Sequence, residues 1–251
     1  MRIFANVMND DFEDIQFRPI FNYPYARWFS DGQYNGRTPD EAERAEIISI
    51  IDENVASYLE GVPLIVNALN RSKELHDDSH ELYKVILSAM LFVIQTMTDA
   101  MVVSKYFILA NNDYDKRLMR GKLAVILNEG FKKLYGFENK TIINPVWTRL
   151  KTIIQHFPNE INLQYFELTT LLERHAKSSS WWKDERNIET HLDAEKLYLS
   201  RCKELVEGKV LLDSLKLLDA LNAVYHFLGN MHACFLNTLT YKYLKGELPE
   251  E

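Results

Sequence analysis

Between Val85 and Leu109 apolar residues fall on nearly every face of a helical period, interrupted by few charges. A helix of that kind is stable only when other elements surround it, so the rest of the chain must fold around this stretch. Its uncharged run, 85–98, is shorter than the roughly 20 apolar residues a bilayer-spanning helix needs. It therefore reads as a buried core helix, and no membrane partner is expected. The helix is predicted over 79–112, as the longest and most central of the chain. Asn111-Asn112-Asp113 breaks the pattern, and a second helix follows over 114–135, closed by Gly136. The two make a long central hairpin. No stretch alternates with period two and no internal repeat is present, so the fold class expected is an all-α helical bundle.

The flanks are punctuated by caps and breakers. Residues 1–37 hold Phe4, Phe12, Phe17, Phe21, Tyr23, Tyr25, Trp28 and Phe29 at no helical period, broken by Pro19 and Pro24. With few basic residues among them, they suit an irregular aromatic-rich N-terminal arm packed over the bundle better than a base-stacking surface. Thr38-Pro39-Asp40-Glu41 combines an N-cap, a proline at the first helical position and a glutamate three residues on, which predicts a helix over 38–60. Gly61 and Pro63 should end it, with a shorter piece over 63–70 and a polar break over 73–79. Asn144-Pro145 predicts a helix to residue 156, and Pro158-Asn159 another to residue 175. Lys177-Ser178-Ser179-Ser180 reads as a loop. Two helical stretches, 182–207 and 210–245, follow, separated at Gly208, with a bend possible where Thr190 and Asp193 could form a cap. Residues 1–75 are thus an arm with leading helices, and 76–251 the bundle proper.

Composition limits the chemistry. A chain of 251 residues with 47% hydrophobic content can bury a real core, and its net charge of −7 repels nucleic acid except where basic residues gather. They gather on the second hairpin helix. Between Lys116 and Lys133, Lys116, Arg117, Arg120, Lys122, Lys132 and Lys133 stand against a single acid, Glu129, and Lys116, Arg117 and Arg120 are the candidate RNA-binding residues. Cys202 and Cys234 lack metal-ligand spacing and read as buried thiols in a reducing compartment. Asp10, Asp11, Glu13 and Asp14 occupy the place where an export signal would be apolar, so the expected location is cytoplasmic. His76 and His80, with Asp77 and Glu81, could share a helix face, yet no Glu-x-x-His pair exists to complete a di-iron set, and a solvated helix start is preferred. Neither a metal nor a cofactor is expected, since no phosphate-cradling glycine loop or nucleophile elbow occurs.

The remaining chemistry lies in Asp184-Glu185-Arg186-Asn187-Ile188-Glu189-Thr190-His191. Histidine titrates near neutrality and can move a proton at a ribose hydroxyl, while arginine stabilises charge on phosphoryl oxygens and asparagine orients either. On one helix Arg186 and His191 point about 140° apart, so they can meet only across a turn, a helix end or a dimer interface. Arginine precedes histidine at similar spacing also at Arg71 and His76 and at Arg149 and His156. Spacing alone therefore does not select the site. On the last helix Asn222, His226 and Asn230 form a polar stripe that faces either water or a seam.

Arg186-Asn187-x-x-x-His191 ahead of a polar-to-apolar helix, followed by Leu217-Leu218-Asp219-Ala220-Leu221-Asn222, resembles the HEPN superfamily, an all-helical group that includes ribonuclease toxins and phage-defence proteins. Asn112-Asp113-Tyr114-Asp115-Lys116-Arg117, leading through Leu118-Met119-Arg120 into an apolar helix, is similar to the hairpin of bacterial HEPN-like proteins of uncharacterised role. The resemblance covers 82–137 and 184–239, leaves out the first 75 or so residues, and fits 139–180 loosely. It implies Arg186, Asn187 and His191 as a composite, metal-independent ribonuclease site across a homodimer, with RNA as substrate and room for a neutralising protein partner, as in toxin–antitoxin systems. Glu185 and Glu189 depart from a phosphate-binding pattern. The alternative expectation is a non-catalytic HEPN-like binding or regulatory module.

Overall fold

The computed structural model describes residues 29–30, 33–74, 78–136, 145–178, 180–191, 195–196, 205 and 207–245. The first described element is a hairpin in which β1 (Phe29–Ser30) pairs antiparallel with β2 (Gln33–Tyr34). Strands of two residues are too short to leave a period-two trace, which is why the sequence gives no sign of them. The rest of the aromatic arm, residues 1–28, lies outside the described residues.

Helix α1 (Glu41–Arg71) starts two residues later than expected. Asp40, not Thr38, is the N-cap: its carboxylate accepts from the Glu43 amide at 2.9 Å, and Glu43 accepts from the Asp40 amide at 3.1 Å. Both Thr38 with Glu41 and Asp40 with Glu43 fit the capping spacing. The second pair wins because Glu43, itself buried, also holds Arg37 at 2.8 Å. Nor does α1 stop at Gly61 and Pro63. Ile47, Ile51, Asn54, Tyr58, Gly61, Ile65 and Ala68 are all buried, and they recur at alternating steps of four and three, which keeps one seam facing the core straight through the proline. Pro63 itself is exposed. The burial gained by Ile65 and Ala68 offsets the missing backbone hydrogen bond.

A short 3-10 turn (Ser72–Glu74) leads toward α2 (Asp78–Leu109). His80 Nδ1 donates to the Ser72 carbonyl at 2.6 Å, stitching the start of α2 to the end of α1. His76 lies outside the described residues, and among the described residues no group of three or more histidine, cysteine or acidic side chains is arranged to hold a metal. Helix α2 is central: α1, α3 (Asp113–Leu134) and α7 (Glu207–Leu244) all pack extensively on it. By length and composition α2 could cross a membrane, but 56% of its most apolar window is buried by the bundle. It is not the longest helix, since α7 has 38 residues to its 32.

The turn into α3 is capped by Asn112, whose side chain accepts from the Asp115 amide at 2.9 Å. The far end closes at Gly136, which adopts φ +88° and donates to the Lys132 carbonyl at 2.9 Å. Helix α4 (Val146–Ile153) begins with Pro145 as its N-cap rather than inside the first turn, and a 3-10 turn (Ile154–His156) extends it. Trp147 stacks on Tyr165 of α5 (Asn159–Ser178) at 4.6 Å and donates to the Thr169 hydroxyl at 2.9 Å. The loop expected over 177–180 is nearly absent. Helix α5 runs to Ser178 and α6 (Ser180–His191) begins two residues later.

Gly208 stands close to a helix start, as expected, but lies inside α7 rather than ahead of it. It sits buried in the first turn of α7, one residue after Glu207. The reason is electrostatic. Glu207, 7% exposed, receives Arg44 of α1 at 2.9 Å and Lys116 of α3 at 3.0 Å, and its charge faces the positive end of its own helix. One carboxylate thus ties three helices together. Cys234 on α7 is half-buried rather than buried, and burial with the Glu160 charge pushes its thiol up. Cys202 lies outside the described residues.

Candidate functional site

Helix α6 carries the arginine–histidine motif and packs chiefly on α3. Arg186 and Thr190 lie one turn apart on it, and the Thr190 hydroxyl donates back to the Arg186 carbonyl at 2.9 Å. The two helices run antiparallel. Arg186 meets Glu129 near the end of α3, whereas Glu189, further along α6, lies over Gly121 nearer its start. A Cβ at Gly121 would overlap the Glu189 side chain, so the glycine forms a notch for that carboxylate.

Each nitrogen of the Arg186 guanidinium makes a contact within the chain. Nε donates to Glu129 Oε1 at 2.6 Å, Nη2 pairs with the same oxygen, and Nη1 donates to Asn187 Oδ1 at 2.7 Å. The Arg186 and Glu129 side chains are 22% and 31% exposed, so the pair sits at the rim of the seam, within reach of solvent. Asn187 is half-buried beside it. The helix continues unbroken to His191, which places residues 187 and 191 one turn apart on one face and leaves Arg186 about 140° from His191 around the axis. The His191 side chain lies outside the described residues.

The basic block of α3 divides by face. Lys116 is committed to Glu207, and Arg117 is half-buried with a carboxylate oxygen of Asp113 at 3.7 Å. Arg120 is half-buried, whereas Lys122 and Lys133 are exposed. So the three residues expected to meet RNA lie where α3 turns toward its neighbours, and the exposed positive charge lies elsewhere on the same helix. On α7 the polar stripe is directed outward only in part: His226 and Asn230 are exposed, Asn230 donating to Gln164 of α5 at 3.1 Å, whereas Asn222 is half-buried.

Two residues that the sequence does not mark as functional take part in this geometry. Glu129 and Gly121 are both on α3, and only Glu129 leaves a trace, as the one acid between Lys116 and Lys133. Its partner 57 residues away has no local signature.

An all-α bundle of seven described helices, with a charged α3–α6 seam, is therefore the class of protein defined by the fold. No protein-family model, curated protein or solved structure matches the chain.

Proposed function

We propose that the chain is a HEPN-like protein acting on RNA as a homodimer, a metal-independent endoribonuclease of toxin or phage-defence type with Arg186, Asn187 and His191 as its reacting set. The observation that carries this reading is the 2.7 Å contact between Arg186 and Asn187 on a helix that continues to His191. Arginine and its orienting asparagine are already paired at a rim open to solvent. A second chain supplies what one helix cannot, because the 140° between Arg186 and His191 closes only when each is matched with its opposite across a two-fold axis. The chemistry is transfer of the 2′-hydroxyl proton to His191 and attack of that oxygen on the adjacent phosphorus. The 5′-oxygen leaves with a proton, and a 2′,3′-cyclic phosphate remains.

A second reading, a non-catalytic HEPN-like binding or regulatory module, is favoured by Glu129, which fills the edge of Arg186 that a phosphate would need. Total cellular RNA incubated in EDTA with the purified protein separates the two. The nuclease should yield cyclic-phosphate ends and lose activity by at least ~100-fold in both Arg186→Ala and His191→Ala, the range for removing a general acid–base or an electrostatic donor. Intact RNA across a wide panel, with the wild type folded and dimeric, would leave the binding module.

A further inference from the structure

We propose that Glu129 is a built-in latch: its carboxylate occupies the anion position of Arg186, and the site takes a phosphodiester only when Glu129 swings away. This rests on the reading that the α3–α6 seam meets RNA. The geometry is that of substitution. Nε and Nη2 form the edge of a guanidinium that pairs with phosphate as readily as with carboxylate, and both converge on Glu129 Oε1. Nη1 is held separately by Asn187, so the arginine stays aimed when its anion changes. An incoming phosphate would therefore meet an oriented donor edge.

The fold also supplies a place for the displaced carboxylate. Lys132 and Lys133 stand three and four residues after Glu129, on the neighbouring positions of one helix face, and Lys133 is exposed. A rotation about the Glu129 side chain exchanges one cation for another without moving the backbone. That backbone is anchored next door, where Gly130 packs so closely on Thr96 of α2 that no Cβ fits. The latch is thus a side chain on a fixed helix. A pair as exposed as this one is worth on the order of 1 kcal/mol or less, so the closed form outweighs the open one by about fivefold, and RNA itself can open it.

The test is binding of a fluorescently labelled single-stranded RNA with 2′-O-methyl groups, which cannot be cut through the 2′-hydroxyl, so the result is independent of whether the wild type is a nuclease. Glu129→Gln should bind about fivefold tighter than wild type, and the gain should vanish in Glu129→Gln with Arg186→Ala. A Glu129→Gln variant that is folded by circular dichroism yet binds no tighter, or a gain that survives loss of Arg186, overturns the latch. Were Glu129→Gln to misfold, the Arg186 Nε–H resonance of the wild type, titrated with inorganic phosphate and with the same RNA, decides the matter. Saturable movement supports the exchange, and an immobile signal overturns it. Cleavage of unmodified RNA by the wild type reports separately on the nuclease reading.

Discussion

The α1–α2 seam and the α3–α6 seam join helix to helix with opposite materials. From α1, Ile47, Ile51, Tyr58 and Ile65 are all 2% exposed or less, and they belong to one buried apolar cluster with Ile86, Met90 and Ile94 of α2. Each such side chain contributes about 1.5–3 kcal/mol by leaving water. Across α3–α6 the described contacts include an arginine, two glutamates, an asparagine and a glycine notch. The rim pair there is worth on the order of 1 kcal/mol and weakens with salt. The first seam fixes the bundle. In the second, the described contacts include solvent-reachable charges, and the proposed exchange of partners at Arg186 relies on that exposure.

The contrast is broken most directly from the apolar side. Phe107 of α2 is fully buried, and Phe107→Ala should cost about 3–5 kcal/mol in urea unfolding. A cost under about 1 kcal/mol would mean that α2 is not the centre of the bundle.

A second measurement uses pH. His232 of α7 is buried, hydrogen-bonded to Tyr83 of α2 at 2.8 Å and stacked near it, and burial pulls its imidazole down to about 4. The folded state keeps it neutral while the unfolded chain binds a proton below about 6.5. Its contribution to stability is therefore complete above pH 6.5 and is lost as pH falls toward 4, amounting to ~3 kcal/mol over that window. The same fall should be absent in His232→Met. A slope that persists in the variant would assign the acid sensitivity to other groups.

The finest comparison puts one substitution in both kinds of seam. Gly130→Ala drives a methyl into Thr96, a short branched side chain on a packed helix, and should cost about 1–3 kcal/mol. The atoms nearest a methyl in Gly121→Ala belong to the flexible Glu189 side chain, while the helix gains up to about 1 kcal/mol from alanine. It should therefore be within about 1 kcal/mol of neutral and faster in amide exchange along α6. Equal losses at the two glycines would show that the α3–α6 seam is packed as rigidly as the core.

Much of the framework was legible along the chain because its signals are local. The apolar run of α2, the break at Asn111-Asn112-Asp113 and the Gly136 stop each act within a few residues. Gly61 and Pro63 have the chemistry of breakers, but tertiary burial on either side outweighs their local cost, so α1 runs through them. At the site, Arg186 and Asn187 are adjacent in sequence and adjacent in space. Nothing near Arg186 announces Glu129, and nothing near Lys116 announces Glu207.

What the sequence determined by itself is the all-α class and the central place of α2, since period, caps and composition are carried by neighbouring residues. Only the tertiary structure decided that Lys116 and Arg44 belong to Glu207 and that Arg186 belongs to Glu129. Ion pairing between helices depends on which faces the apolar core turns toward each other, and charge has no period from which that choice can be read.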